Sequence, residues 1–112
     1  MLEDKPRKKI FVCSPYGGKE KNLTKAKAIC RALLQDKKNG GIPFAPHVFF
    51  TQFLNESDPL ERSAGIDAGL AVMEFHDEVW MFVHDGITAG MMIEEAHAIK
   101  IGKPVKYVDW DI

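Results

Sequence analysis

The sequence predicts an α/β fold: a small doubly wound, flavodoxin- or Rossmann-like parallel sheet of about four strands in the order 2-1-3-4, with helices on both faces. Three observations carry this. Residues 9–13 and 77–83 are short, continuous apolar runs, as strands buried on both faces require. The intervals between the strands show apolar residues at helical spacing. Glycines follow the strands (Gly17, Gly18, Gly86, Gly90) and stop the helices (Gly40, Gly41, Gly102). Strand, glycine-bearing loop, helix and strand form a βαβ unit, which demands parallel pairing.

The first strand, residues 9–13, ends sharply at Ser14-Pro15-Tyr16-Gly17-Gly18. Asn22 is a plausible N-cap for a helix over residues 23–37, whose inner face is Leu23, Ala26, Ile29, Cys30, Leu33 and Leu34. Asn39-Gly40-Gly41 stops it, and residues 42–45 make the second strand. Residues 47–59 are irregular, yet Val48, Phe49, Phe50, Phe53 and Leu54 are too apolar for a solvated loop. They fit either a loop folded over the sheet edge as one wall of a pocket, or a short core helix or turn. Asp58-Pro59 opens a helix over 60–75, with proline near its first position. Residues 77–83 are the central strand, in which Trp80 is structural or at an oligomer interface. A helix follows the loop 85–90, with Glu94 in its first turn. Residues 104–108 form the last strand, and 109–112 a tail free to pack on a neighbour.

In the predicted order the crevice lies between strands one and three, where the connections change direction. The loops 14–18 and 85–90 then face each other across it. Each glycine loop is a weak ligand signal by itself; the topology makes them one stronger signal.

At 112 residues, 46% hydrophobic and 28% charged, the chain suits one domain (1–112) with residues 1–8 as a flexible basic leader. The net charge of −1 gives no global basic field, so no nucleic-acid partner is expected. Cys13 and Cys30 fit no metal spacing and read as reduced core residues of a cytosolic protein. No apolar run approaches the ~20 residues of a membrane span, and no signal-peptide core follows the basic start, so a cytoplasmic location is expected. His97 shares a helix face with Glu94, a spacing used by carboxylate-metal proteins. No matching second pair exists, so neither metal nor cofactor is expected.

Among the acidic residues Glu94 stands out. Gly90 and Ala98, one turn before and after it, leave room for a ligand at one end and close packing at the other. The helix start favours negative charge by ~0.3–1 kcal/mol, so the carboxylate is expected to be ionised. An ionised carboxylate on a rigid element is what a nucleophile or an oxocarbenium stabiliser needs. Taken alone, an acidic residue in a first turn more often only satisfies the helix dipole.

The run Thr88-Ala-Gly-Met-Met-Ile-Glu94, followed by Ala98 and Gly102-Lys-Pro-Val105, resembles the nucleoside 2-deoxyribosyltransferase-like superfamily. Ser14-Pro15-Tyr16, the run from Pro43 through His47 to Phe50, Glu61-Arg62 and Asp77-Glu-Val-Trp80 are similar to small phage and bacterial proteins of that group. The resemblance covers nearly the whole chain. It implies that Glu94 attacks an anomeric carbon, displaces a base and forms a covalent sugar intermediate, which water or a second base resolves. Tyr16 matches an aromatic beside the sugar and the catalytic carboxylate. Thr88 falls where the transferases have an aspartate and the nucleotide hydrolases a serine that meets a 5′-phosphate; a neutral hydroxyl there implies a nucleoside monophosphate. Ser14, Gly17, Gly18, Thr88 and Gly90 would form the phosphate and sugar cradle, with Asp85 and Met91 beside it. Asp67 would be the second acidic residue, and His47 would serve the leaving base or the phosphate. The expected activity is N-glycosidase or deoxyribosyltransferase-like, acting on a (deoxy)nucleoside 5′-monophosphate. The alternatives are a nucleotide-binding protein without turnover, for sequestering or sensing, and an oligomeric structural module. Because relatives complete their sites across subunits, a homodimer or higher homo-oligomer is expected.

Overall fold

The computed structural model describes residues 7–111. The elements are β1 (Lys9–Cys13), α1 (Glu20–Gln35), β2 (Ile42–Phe44), α2 (Pro46–Phe49), α3 (Pro59–Met73), β3 (Glu78–Phe82), α4 (Ala89–Lys100) and β4 (Val105–Val108). A 3₁₀ turn, Phe50–Gln52, joins α2 to the segment before α3. All four strands are parallel, in the order β2-β1-β3-β4, as the sequence predicts.

Strand alternation splits the core into two layers. Ile10, Val12, Trp80 and Phe82 face α1 and meet Ile29 and Leu33. Phe11, Cys13, Val79 and Met81 face the other way, against Met73 of α3 and Met91 and Ala98 of α4. Helices therefore cover both faces, and β1 and β3, buried throughout except at their first residues, form the centre.

Several local expectations are corrected. Helix α1 begins at Glu20, and Asn22 is not its N-cap: Lys19 holds that position without a side-chain cap bond. The Asn22 side-chain amide instead donates to the Tyr16 carbonyl at 2.8 Å, pinning the loop after β1. The basic leader is docked where it enters the sheet, because the Arg7 guanidinium donates to the carbonyls of Leu33, Leu34 and Asp36 at the end of α1. Residues 1–6 of that leader lie outside the described residues. In the tail, Trp110 packs on Phe82 with ring centroids 5.6 Å apart, on the α1 side of the sheet.

Two features match their sequence signals closely. Asp58 caps α3, its Oδ1 accepting from Leu60 N at 2.9 Å and Glu61 N at 3.4 Å, with Pro59 at the first helical position. Gly40 is required by close approach, since a Cβ there would lie 2.1 Å from the Leu33 carbonyl oxygen. No helix among the described residues is long and apolar enough to cross a membrane.

Candidate active site

A cavity of about 330 Å³ opens at the C-terminal edge of the sheet, on the α3–α4 side of the β1–β3 crevice. The two loops that the topology brings together contribute Ser14, Tyr16 and Gly17 from one side, and Thr88, Ala89 and Gly90 from the other. The irregular segment supplies the third wall. It is a short helix and a 3₁₀ turn, and it also lines the cavity through His47, Phe50 and Leu54, so both readings of it hold in part. The fourth wall is α3, where Gly65 and Gly69 allow close approach. A Cβ on Gly69 would sit 3.2 Å from Pro46, and one on Gly65 would sit 3.2 Å from Leu54.

Glu94 lies at this cavity. It is not in the first turn of α4, because Thr88 is the N-cap and the helix starts at Ala89. The helix dipole fades within one turn, so it does little for Glu94. Burial dominates instead, pushing the carboxyl up to about 7, with the Cys13 thiol acting in the opposite direction. The expectation of a fully ionised carboxylate is therefore corrected: near neutral pH both forms are populated. Glu94 stays half-buried because protein surrounds it everywhere except at the cavity mouth. Ala98, one turn on, is fully buried in the core. Glu95 is engaged elsewhere, its Oε2 accepting from the Tyr107 hydroxyl at 2.5 Å.

On the opposite wall the Ser14 hydroxyl and His47 Nε2 are 2.8 Å apart, and the Tyr16 ring lies 6.0 Å from the imidazole. Burial pulls His47 down to about 4. At neutral pH this imidazole is uncharged, so it offers neither a cation for a phosphate nor a labile proton for a leaving base. Burial first, then the carboxylates of Glu56 and Glu20, hold the Tyr16 phenol above its ordinary value and hence protonated.

Thr88 Oγ1 accepts from Met91 N at 3.2 Å, while Met91 Sδ accepts from Thr88 N at 3.5 Å, a capping box in which sulfur replaces the usual carboxylate. The amides of Ala89 and Gly90, first in the helix, have no intrahelical acceptor by the geometry of helix starts. Gly90 leaves room beside them, for a Cβ there would meet only Thr88 Oγ1, at 3.9 Å. Met91, almost wholly buried, forms the cavity wall below.

Three residues singled out from sequence do not join this group. Gly18 is exposed at the rim, outside the cavity lining. Asp85 is on the other side of the sheet edge, paired with Lys25, which pulls its carboxyl below the ordinary range. Asp67 is exposed and lines no part of the cavity, because it lies on the outward side of α3.

Sequence reasoning missed others. Glu61 lines the cavity and is fixed by Asn55 N, which donates to its Oε1 at 2.7 Å. Arg62 lines it too, paired with Glu56 at 3.1 Å. Cys13, read as plain core, acts on the Glu94 carboxyl from the end of β1. The signals were present: Glu61-Arg62 stands among the shared motifs, and Cys13 ends a central strand at the ligand-binding edge.

No curated protein matches the chain in sequence. The solved structure of a 2-deoxyribosyltransferase from the psychrotolerant bacterium Bacillus psychrosaccharolyticus shares its fold, with a TM-score of 0.63 over 88% of this chain and 70% of that one, at 22% identity. Residues 8–108 match the family described as a domain of unknown function, DUF7768. That match runs from the residue before β1 through the last residue of β4, and the chain belongs to the DUF7768 family.

Proposed function

We propose that this protein is an enzyme that cleaves the N-glycosidic bond of a (deoxy)nucleoside 5′-monophosphate, with Glu94 as the nucleophile. The observation that carries this reading is the Glu94 carboxyl, at a cavity between the two strand-end loops, with a pKa near 7. A fold shared with a 2-deoxyribosyltransferase supports it. An ionised Glu94 oxygen attacks the anomeric carbon, forming a C–O bond as the C–N bond breaks. The bonding pair leaves with the base, which takes a proton, and water or a second base then displaces the carboxylate from the sugar. Glu61, not the exposed Asp67, is the acidic α3 side chain at this cavity, so the leaving base draws its proton by way of Glu61 or a water beside it. Tyr16 and Ser14 flank the sugar, and the Thr88 hydroxyl with the Ala89 and Gly90 amides receives the phosphate.

The test is to incubate the pure protein with a panel of nucleosides and their 5′-monophosphates and to measure free base by chromatography. The monophosphates should release base, and Glu94→Gln should abolish release by roughly a thousandfold or more, the scale of losing a nucleophile. No release from any substrate, by wild type and Glu94→Ala alike, would remove the catalytic reading. The exposed position of Asp67 favours one second reading, a nucleotide-binding protein without turnover. That reading requires thermal stabilisation by a monophosphate which persists in Glu94→Gln while no product forms.

A further inference from the structure

The cavity carries an imbalance of charge. Glu56, Glu61 and Glu94 line it, whereas Arg62 is the one lysine or arginine that does so among the described residues. Arg62 is itself engaged from one side. Its Nε donates to Glu56 Oε2 at 3.1 Å, while among the described residues nothing accepts from its terminal nitrogens. Arg62 stands near the start of α3, and Glu56 in the segment before that helix. Glu56 also reaches the loop after β1, for a Cβ on Gly18 would lie 3.6 Å from its Cγ. The pair thus spans the cavity rim from α3 to the glycine loop, with Arg62 52% and Glu56 30% exposed. An ion pair this open to water adds little to stability. The segment that carries Glu56 has other supports: Asn55 N donates to Glu61 Oε1 at 2.7 Å, and Ser57 N donates to Asn55 Oδ1 at 2.9 Å. The pair can therefore open without unfolding its surroundings.

We propose that Arg62 selects the 5′-phosphate of the substrate, and that Glu56 is an internal anion that holds the guanidinium until the phosphate displaces it. The Thr88 hydroxyl and the first amides of α4 are neutral donors, so they orient a phosphate without supplying a full charge. A guanidinium supplies that charge, and its planar donors match a phosphate bidentately. A phosphate dianion attracts it more strongly than a single carboxylate does. The exchange turns Arg62 toward the ligand and releases Glu56 to solvent. A nucleoside without a phosphate has nothing with which to displace Glu56, so the same pair rejects by default what it does not need to bind. The proposal deepens the reading of a nucleoside 5′-monophosphate as substrate and rests on it, though the exchange is measured by binding, without turnover.

The experiment is calorimetric titration with the common nucleosides and deoxynucleosides and with their 5′-monophosphates. All proteins carry Glu94→Gln, so that no ligand is consumed, and Arg62→Gln, Arg62→Lys and Glu56→Gln are compared in that background. The best-bound monophosphate should bind at least about tenfold more tightly than its parent nucleoside. Arg62→Gln should weaken the monophosphate roughly thirtyfold, the scale of a lost hydrogen-bonded charge, and leave the nucleoside within about twofold. Arg62→Lys, which keeps the charge and loses the planar fork, should fall between. Glu56→Gln should act in the opposite direction and tighten the monophosphate by about threefold or more. Added salt should weaken monophosphate binding when Arg62 is present and much less in Arg62→Gln. Equal weakening of nucleoside and monophosphate by Arg62→Gln would overturn the proposal, as would a Glu56→Gln protein that binds the monophosphate no better, or no monophosphate bound at all. Binding in the expected pattern with no base released by wild type would uphold the phosphate selection and refute the glycosidase reading. Base released from nucleosides and monophosphates with equal kcat/KM would do the reverse.

Discussion

Replacing Glu94 with Gln takes away a carboxyl that burial lifts from 4.5 to about 7. At ~1.36 kcal/mol per pH unit, holding that group ionised in the folded chain costs about 3 kcal/mol. Between these two pH values the unfolded chain gives up a proton that the folded chain retains, so the Glu94 contribution to stability declines as pH rises and levels off above about 7. Glutamine at position 94 removes that contribution and leaves the other titrating groups in place. The two proteins should be similarly stable near pH 4.5 and diverge by about 3 kcal/mol at pH 8, with the variant the more stable. For a chain of 112 residues, at ~2.1 cal/mol/K of unfolding entropy per residue, that is about 13 °C in Tm. Thermal and urea denaturation of both proteins at pH 5 and pH 8 measure the gap. An identical gap at both pH values would mean that Glu94 is not desolvated, and the cavity reading would lose its acid–base basis.

The other predictions use the same cavity. Burial holds His47 at about 4, so between about 6.5 and 4 the unfolded chain binds a proton that the folded chain refuses; this group removes about 3 kcal/mol on acidification, opposing the Glu94 contribution, and is read as the difference between wild type and His47→Gln in urea titrations across that window. Gly90→Ala adds a methyl group to open space at a helical position, so Tm should hold or rise by up to ~1 kcal/mol equivalent while nucleotide KM increases at least about tenfold in steady-state assays. Asp67→Asn should leave turnover within about twofold and stability within ~0.5 kcal/mol, whereas Glu61→Gln should lower kcat by roughly a hundredfold. Met92 and Ile99 on α4 are exposed at 59% and 65%, and if they cover a second copy, light scattering will give a dimer that Ile99→Glu dissociates.

The sheet was legible because its physics is local. Two continuous apolar runs mark the central strands, and glycines after them mark the loops that must meet at the crevice. Helix ends were less legible, for the choice of cap depends on partners far off in the chain. Asn22 has the right chemistry for a cap, but the Tyr16 carbonyl claims its amide. The acid on α3 shows the same limit. Glu61 and Asp67 are six residues apart, roughly a third of a turn around the helix, and only one of those directions meets the cavity. Apolar residues lie nearly all round α3, so its periodicity does not say which face is inward.

The charge state of Glu94 shows why a sequence rule can name the right residue for the wrong reason. A helix start contributes at most ~1 kcal/mol toward ionisation, and only in the first turn. Glu94 lies beyond that turn, where desolvation acts against ionisation by about 3 kcal/mol. A domain of this size has only ~5–15 kcal/mol of net stability. An apolar residue at position 94 would line the same cavity wall as Met91 without the cost of a buried charge. Packing therefore gives no reason for a carboxyl there, and a group held against stability in a cavity beside a helix start is the arrangement that acid–base or nucleophilic chemistry requires.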